Sequence, residues 1–337
     1  MLKRITWLIG LLLLAFLATL QYGLSTFKQP LDYPETLAIE LEQGDNLSTV
    51  VAKLQTAGAI SYPRVASFLG RYYDYDRRLK VGEYELPPGL SLYDIFELFS
   101  SGRSVQYAIR LLEGWRIKDI QDEVGRHPKL VAEIQNWDPE GLAKTLGLDV
   151  ASAEGQFFPD TYFYHKGMTD KQLLLSANAR LKTVLNTAWL TKTNEAIVNT
   201  PYEALILASI VEKETGKAEE RDLISGVFNL RLAKGMKLQT DPTVIYGMGD
   251  RYQGKIKRKH LLEATPYNTY VIPGLPPTPI ALASEAAIRA AVMPRNEGYL
   301  YFVAKGDGSH IFSKTLEEHN EAVKAYQLKR KADYRSY

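Results

Sequence analysis

The chain begins with a long apolar stretch that carries no charge. From Ile5 to Leu24 the polar interruptions are Thr6, Thr19 and Gln21, and Lys3 and Arg4 stand just before it. Twenty helical residues span roughly 30 Å, the hydrocarbon thickness of a bilayer. The pattern predicts a transmembrane anchor over 5–24, with a tail, 1–4, kept cytoplasmic by the positive-inside rule. The apolar run is longer than the core of a secretory signal, and no small-x-small cleavage site follows, so the anchor is expected to stay attached. Residues 25–35, with Pro30 and Pro34, read as an extended tether.

Beyond the tether the pattern switches between periods of two and of 3.6 residues. Thr36–Glu40 alternates like a strand; Leu47, Val50, Val51 and Leu54 recur at helical spacing, and Gly58 ends that helix. A second helix is expected from Pro63 to Tyr72, a strand from Lys80 to Leu86, and a helix capped by Ser91. These form a small α+β module over 36–103. A strand over Val105–Leu112, the turn Glu113-Gly114-Trp115 and a helix from Lys118 begin a second small module and connector, 104–153. The order strand, glycine turn, helix thus recurs. A larger α+β domain is expected over 154–328, opening on the aromatic run Glu154–Tyr162 and continuing through helices near 170–190, 202–215 and 221–233. A tail, 329–337, closes the chain.

One helix of the large domain draws attention to two carboxylates. At about 100° per residue, Leu207, Ile210, Val211 and Glu214 fall on one stripe, while Glu212 falls nearly opposite with Leu205 and Ala208. A carboxyl on an apolar face loses hydration, so its pKa rises and it can hold a proton near neutrality, as an acid that cleaves a glycosidic bond must. The ordinary reading is an ion pair with Lys213 or Lys217.

Composition narrows the chemistry. The 41 basic and 39 acidic residues are well mixed, leave a net charge of +2 and contain no basic run resembling a nucleic-acid arm, so no nucleic-acid partner is expected. There is no cysteine, and the five histidines form no close pair, so no metal site or cofactor is expected. Twenty-one tyrosines and four tryptophans suit sugar stacking but also fill ordinary cores.

Four patches downstream of Glu214 concentrate polar and aromatic groups in turn-like sequence. They are Leu238–Thr243, Thr265–Tyr270, Ile272–Ile280 and Tyr299–Val303, the last leading on to His310 and to His319-Asn320. In the first, Gln239, Asp241 and Thr243 would alternate sides if extended. Each patch alone reads as a well-capped loop; together they could line a saccharide groove. Candidate substrate-binding residues are Glu212, Gln239, Asp241, Thr243, Tyr267, Asn268, Thr269 and Tyr270. His310 reads as a surface or core histidine in preference to a cleft residue.

These stretches, in this order, resemble the endolytic murein transglycosylase (YceG-like) family. The resemblance is carried by Ala208–Thr215, Glu220-Arg221-Asp222, Val227–Leu232, Met236–Gly247, Tyr267–Tyr270, Gly274–Pro277, Tyr299–Val303 and His319-Asn320. It implies a lyase that cuts the β-1,4 bond between N-acetylmuramic acid and N-acetylglucosamine within peptidoglycan strands and leaves a 1,6-anhydro end. It also implies Glu214 as catalytic residue and a LysM-like character for 36–103. Peptidoglycan is the expected partner, with cell-wall synthases beside it. The expected place is the bacterial inner membrane, with the large domain in the periplasm and nascent strands as targets. Two other functions remain open on the residues: a hydrolytic muramidase, with Asp241 or Glu212 as second carboxylate, and an anchored scaffold that binds peptidoglycan without cutting it.

Overall fold

The computed structural model describes residues 25–328 together with the single positions 7, 14 and 21. The tail 1–4, the anchor apart from those three positions, and the tail 329–337 lie outside the described residues. Among the described residues no helix is long and apolar enough to cross a membrane. Among the described residues the fold is α+β, with three two-stranded sheets among many helices. The chain divides into two compact units. One holds the described residues up to Ala108 plus 128–131 and 163–168; the other holds 109–127, 132–162 and the described residues from Thr169 onward.

In the first unit β1 (Leu37–Leu41) pairs antiparallel with β2 (Gly82–Leu86), in a register that sets Ile39 opposite Tyr84 and Leu37 opposite Leu86. Between them lie α1 (Leu47–Thr56) and α2 (Pro63–Tyr72), and α3 (Leu92–Ser101) follows β2. Each helix starts where its sequence provides for the free amides of a first turn. Asn46 Oδ1 accepts from Ser48 N and Thr49 N at 3.0 and 3.1 Å, Pro63 needs no amide partner, and Ser91 and Asp94 form a reciprocal capping box. Ile39, Leu41, Val50, Leu54, Phe96 and Phe99 close a core of their own. The two short returns of chain are fastened by charge, Lys129 Nζ to Glu83 at 2.7 Å and Lys166 Nζ to Glu40 at 2.6 Å.

The strands β3 (Tyr107–Arg110) and β4 (Thr161–Tyr164) pair where the chain passes between units. The second unit then builds on α4 (Ile117–Val124), α5 (Pro139–Leu146), α6 (Asp170–Trp189), α7 (Pro201–Glu214) and α8 (Ala218–Ala233). It continues through α9 (Asp241–Met248), α10 (Arg258–Leu262), α11 (Glu285–Val292), the hairpin β5 (Tyr301–Ala304) and β6 (His310–Ser313), and α12 (Leu316–Val323). Leu111, Ile117, Ile120, Leu142 and Phe157 share a cluster with Leu174, Ala177 and Leu282. Within the connector expected at the end of 104–153, residues 127–153 hold a single helix, α5, in otherwise irregular chain. The sequence there carries Pro128 and Pro139, and Asp138 stops the irregular part by capping α5 through Gly141 N at 3.2 Å.

A larger core joins α7 to α8, α6 and α11. Close approach is written into Gly226 on α8. A β-carbon there would lie 2.0 Å from the carbonyl oxygen of Arg295, whose own amide donates to Asp222 O at 2.9 Å. Backbone cannot yield as a flexible side chain can, so Gly226→Ala is expected to destabilise the fold by about 1–3 kcal/mol. Gly216→Ala, where a β-carbon meets nothing within 4 Å, should leave stability close to that of the parent; urea melts of the two variants check this.

Candidate active site

Helix α7 is buried on every side: all residues from Ala204 to Val211 are inside. Thr200 caps it, its Oγ1 accepting from Glu203 N at 3.1 Å, and Pro201 occupies the first turn. The expected contrast between an apolar and a polar face is therefore absent, since Leu205 and Ala208 are as buried as Leu207 and Ile210. What separates the two glutamates is the group each one meets. Glu212 Oε2 accepts from Ser284 N at 2.9 Å and from its hydroxyl, at the N-terminus of α11, where a negative charge is favoured. That contact ties α11 to α7.

Glu214 is the last residue of α7. Its side chain keeps some surface open, while protein atoms crowd its carboxylate. Loss of hydration raises its pKa from 4.5 to about 7; the charge of Asp241 pushes the same way, and a hydrogen bond from the Thr240 hydroxyl to Oε1 pulls back. The ordinary ion-pair reading does not hold: Lys213 Nζ donates to Gly114 O at 3.2 Å, and no ion pair to Glu214 occurs among the described residues. A carboxyl so shifted can hold a proton close to neutrality.

The loop that delivers Thr240 is held from several sides. Gln239 has φ of 53°, a left-handed conformation uncommon for a side chain larger than glycine's. The buried Arg231 supports it, with Nη1 donating to Leu238 O at 2.8 Å and Nη2 to Gln239 Oε1 at 2.9 Å. From the other side Gln239 N donates to Thr269 O at 3.1 Å and Thr240 N to Thr269 Oγ1 at 3.0 Å. Immediately after, the chain turns helical at Asp241, so Gln239, Asp241 and Thr243 do not alternate as they would in an extended segment. Thr240 takes the N-cap position and Pro242 falls in the first turn, the arrangement that proline's fixed φ favours. Thr243 Oγ1 consequently donates back to Thr240 O at 2.8 Å and lies 2.8 Å from Thr269 Oγ1.

The patch 265–270 closes the frame. Asn268 Oδ1 accepts from Tyr270 N at 3.0 Å, and its Nδ2 faces the carbonyls of His260, Leu261 and Glu263 at 3.1, 3.2 and 2.7 Å. Tyr270 donates its hydroxyl to Asp241 Oδ1 at 2.7 Å. Tyr267 shares a 2.9 Å contact with Thr278 and packs edge-on against Tyr246. The structure thus brings Gln239, Asp241, Thr243, Asn268, Thr269 and Tyr270 into one hydrogen-bonded frame beside Glu214, while the Tyr267 side chain turns to Thr278 and Tyr246. Thr243, Asn268 and Thr269 lie wholly inside it as framework, whereas Asp241 is exposed and Tyr270 half-buried. His310 sits apart, its Nδ1 2.7 Å from Glu220.

Three participants escape the sequence reading. Thr240 is one, hidden inside a patch already singled out; its place before Asp-Pro, at a helix start, was the available signal. Arg231 is another, an interior cation with no carboxylate partner among the described residues. The third is Glu154, 3% exposed, which accepts from Ile117 N at 3.2 Å and from the Tyr246 hydroxyl at 3.1 Å. Burial pushes its pKa to about 7 despite those two bonds. Among the described residues no group of three or more His, Cys, Asp and Glu is placed to hold a metal ion.

A sequence profile of the YceG-like family matches residues 39–325. Over 317 residues the chain is 30% identical to the endolytic murein transglycosylase of Bacillus subtilis (strain 168), covering 88% of this chain and 86% of that protein. The protein of the same name from Streptococcus pneumoniae serotype 2 is 28% identical over 321 residues, 85% of this chain and 58% of its own length. A crystal structure of a yceG-like protein from Listeria monocytogenes aligns with a TM-score of 0.54 at 30% identity, over 86% of this chain and all of that one.

The Thr240 hydroxyl stabilises the anion of Glu214, so removing it raises the pKa further. In Thr240→Val the titration of Glu214, followed by the carboxyl band in infrared spectra, is expected to move to higher pH than in the parent. An unchanged or lowered midpoint would show that the hydroxyl does not act on the carboxylate.

Proposed function

The chain belongs to the YceG-like family, and from that membership we propose that it is an endolytic murein transglycosylase with Glu214 as its catalytic acid and base. One observation carries the assignment: a carboxyl at the end of a buried helix, partly open to the surface, met by one hydroxyl and desolvated enough to raise its pKa to about 7. A group of that pKa can both give and take a proton at neutrality.

Glu214 donates its proton to the glycosidic oxygen as the bond from C1 of N-acetylmuramic acid to that oxygen breaks. The sugar then leaves with a new hydroxyl on N-acetylglucosamine. The Thr240 hydroxyl meets the carboxylate at the moment it becomes charged, which is when a donor helps most. The carboxylate next takes the proton of the muramic C6 hydroxyl, whose oxygen closes on C1 to give the 1,6-anhydro ring. No water is consumed, and the attacking group is part of the substrate, with the high effective concentration of an internal nucleophile. Asp241 and Tyr270, joined at 2.7 Å, stand beside the carboxyl as candidate sugar contacts.

A hydrolytic muramidase is the second reading, and the proximity of Asp241 to Glu214 is what supports it. As base for a water, or as nucleophile, Asp241 would be indispensable; in a transglycosylase it is not.

The 5–24 segment is proposed to anchor the protein in the inner membrane with residues 25–337 in the periplasm; uninterrupted apolarity behind Lys3 and Arg4 supports this. That location puts the enzyme where new glycan emerges, which supports nascent strands as targets and wall synthases as neighbours. The first unit, with a core of its own, is proposed as the LysM-like module.

Product analysis tests the activity. The parent protein is expected to release strands with anhydro ends, and Glu214→Gln to lose about 10²–10⁴-fold in rate while still binding glycan. Asp241→Asn should retain cleavage; products heavier by one water, lost in Asp241→Asn, would establish the hydrolase instead. For the anchor, protease added to spheroplasts should digest the catalytic unit and spare a tag at the N-terminus, and a protected catalytic unit would refute the orientation.

A further inference from the structure

Charge is well mixed along most of the chain but not between Arg251 and His260. There Arg251, Lys255, Lys257, Arg258, Lys259 and His260 fill six of ten positions. Folding gathers Arg251, Lys255, Lys257 and Lys259 around a cavity of about 890 Å³, with Glu263 as its acidic member. Glu263 is already engaged by Arg251 at 2.8 Å. Lys255, Lys257 and Lys259 therefore face a common space with no acidic partner among the described residues. A concave space of ligand-binding size lined by several cations and one already paired acid carries a positive potential that favours an anion.

The cavity does not include Glu214, but both are built on one frame. Met248, at the far end of α9, lines it, while Thr240, the cap of the same helix, donates to Glu214. Eight residues of helix separate them by about 12 Å. Asn268 binds the carbonyls of His260, Leu261 and Glu263, on the cavity's edge, to the patch whose Thr269 fixes Thr240. The cavity and the catalytic carboxyl therefore adjoin opposite ends of α9.

Given the murein-cleaving function proposed above, on which this inference rests, the substrate supplies the anion. In a peptide-bearing strand the lactyl carboxyl of muramic acid is taken up as an amide, so the negative charge lies in the carboxylates of the short peptide farther out; a peptide-free strand carries only the lactyl carboxylate, close to the sugar ring. Four extended peptide residues reach about 13–14 Å, matching the separation along α9. We propose that this cavity is a subsite for the carboxylates of the peptide on a muramic acid next to the scissile bond. Lys255, Lys257 and Lys259 contact them and make the enzyme prefer peptide-bearing strands.

The test titrates the full-length protein in detergent with the disaccharide N-acetylglucosaminyl-N-acetylmuramic acid, with and without its peptide. Neither ligand contains the scissile bond, so binding is read without turnover. The peptide-bearing ligand should bind about tenfold more tightly at low salt, the effect of a few exposed ion pairs, and the advantage should shrink as salt rises. A triple variant (Lys255→Gln, Lys257→Gln, Lys259→Gln) should bind both ligands as the parent binds the peptide-free one, and should cleave peptide-free strands at the parental rate. Equal parental affinity for the two ligands overturns the proposal, as does a triple variant that keeps the preference. Loss in that variant of binding to phosphatidylglycerol vesicles, with no effect on the peptide preference, would assign the lysines to lipid instead. If the parent forms no anhydro ends yet shows the lysine-dependent preference, the cleavage reading fails and the peptide subsite stands.

Discussion

The chemistry of the second unit depends on a balance at one carboxyl group. Packing around the end of α7 removes water from Glu214 and makes its charge costly; the Thr240 hydroxyl returns part of what the water supplied. If desolvation acted alone the group would stay protonated and could not act as a base. With full hydration it would be ionised and could not act as an acid. Helix ends sharpen the balance. The C-terminus of α7 disfavours the anion, the N-terminus of α9 favours it, and the carboxylate lies between the two.

Such a balance requires that the donor not wander, and the framework of the loop answers that need. Gln239 occupies a conformation that it would not choose, and Arg231, Leu238 and Thr269 together hold it there. Asn268 and Thr243, both fully buried, secure the loop's neighbours. Farther along α9, Tyr246 reaches Glu154, so the helix that begins at the acid is fastened at its other end by a second desolvated carboxyl. Buried polar groups are expensive unless satisfied. Their density here marks the part of the fold where position matters most.

Local rules made much of this visible in the sequence. Ser91 announces a helix start by chemistry that acts within four residues, and the structure follows it; Asn46, Thr200 and Pro201 obey the same local rule in the fold. Glu214 could be chosen, but not for a fully sound reason. Periodicity supposed a one-sided helix, and tertiary packing covers α7 on all sides; the glutamates differ through Ser284 and Thr240, 72 and 26 residues away. The polar patches were legible as a group, while the division between framework and open surface was not, because burial of Thr243, Asn268 and Thr269 depends on long-range contacts. Glu154 looked like the start of an aromatic run; only Ile117 and Tyr246, from distant segments, make it an interior acid. The lysines around 255–259 vanish into an even overall charge, and concentrate only when a loop curls around a cavity.

The hold of Thr269 on Thr240 also imposes an order on maturation. A chain emerging from the ribosome contains its acid once residue 214 has passed, and the donor once residue 240 has passed. The contacts that fix that donor arrive 29 residues later, and Ser284, which ties α7 to α11 through Glu212, later still. An enzyme that cuts the wall on which its cell depends is therefore assembled with its trigger unset. It becomes competent only when the C-terminal part of the second unit has closed over the first-made helices.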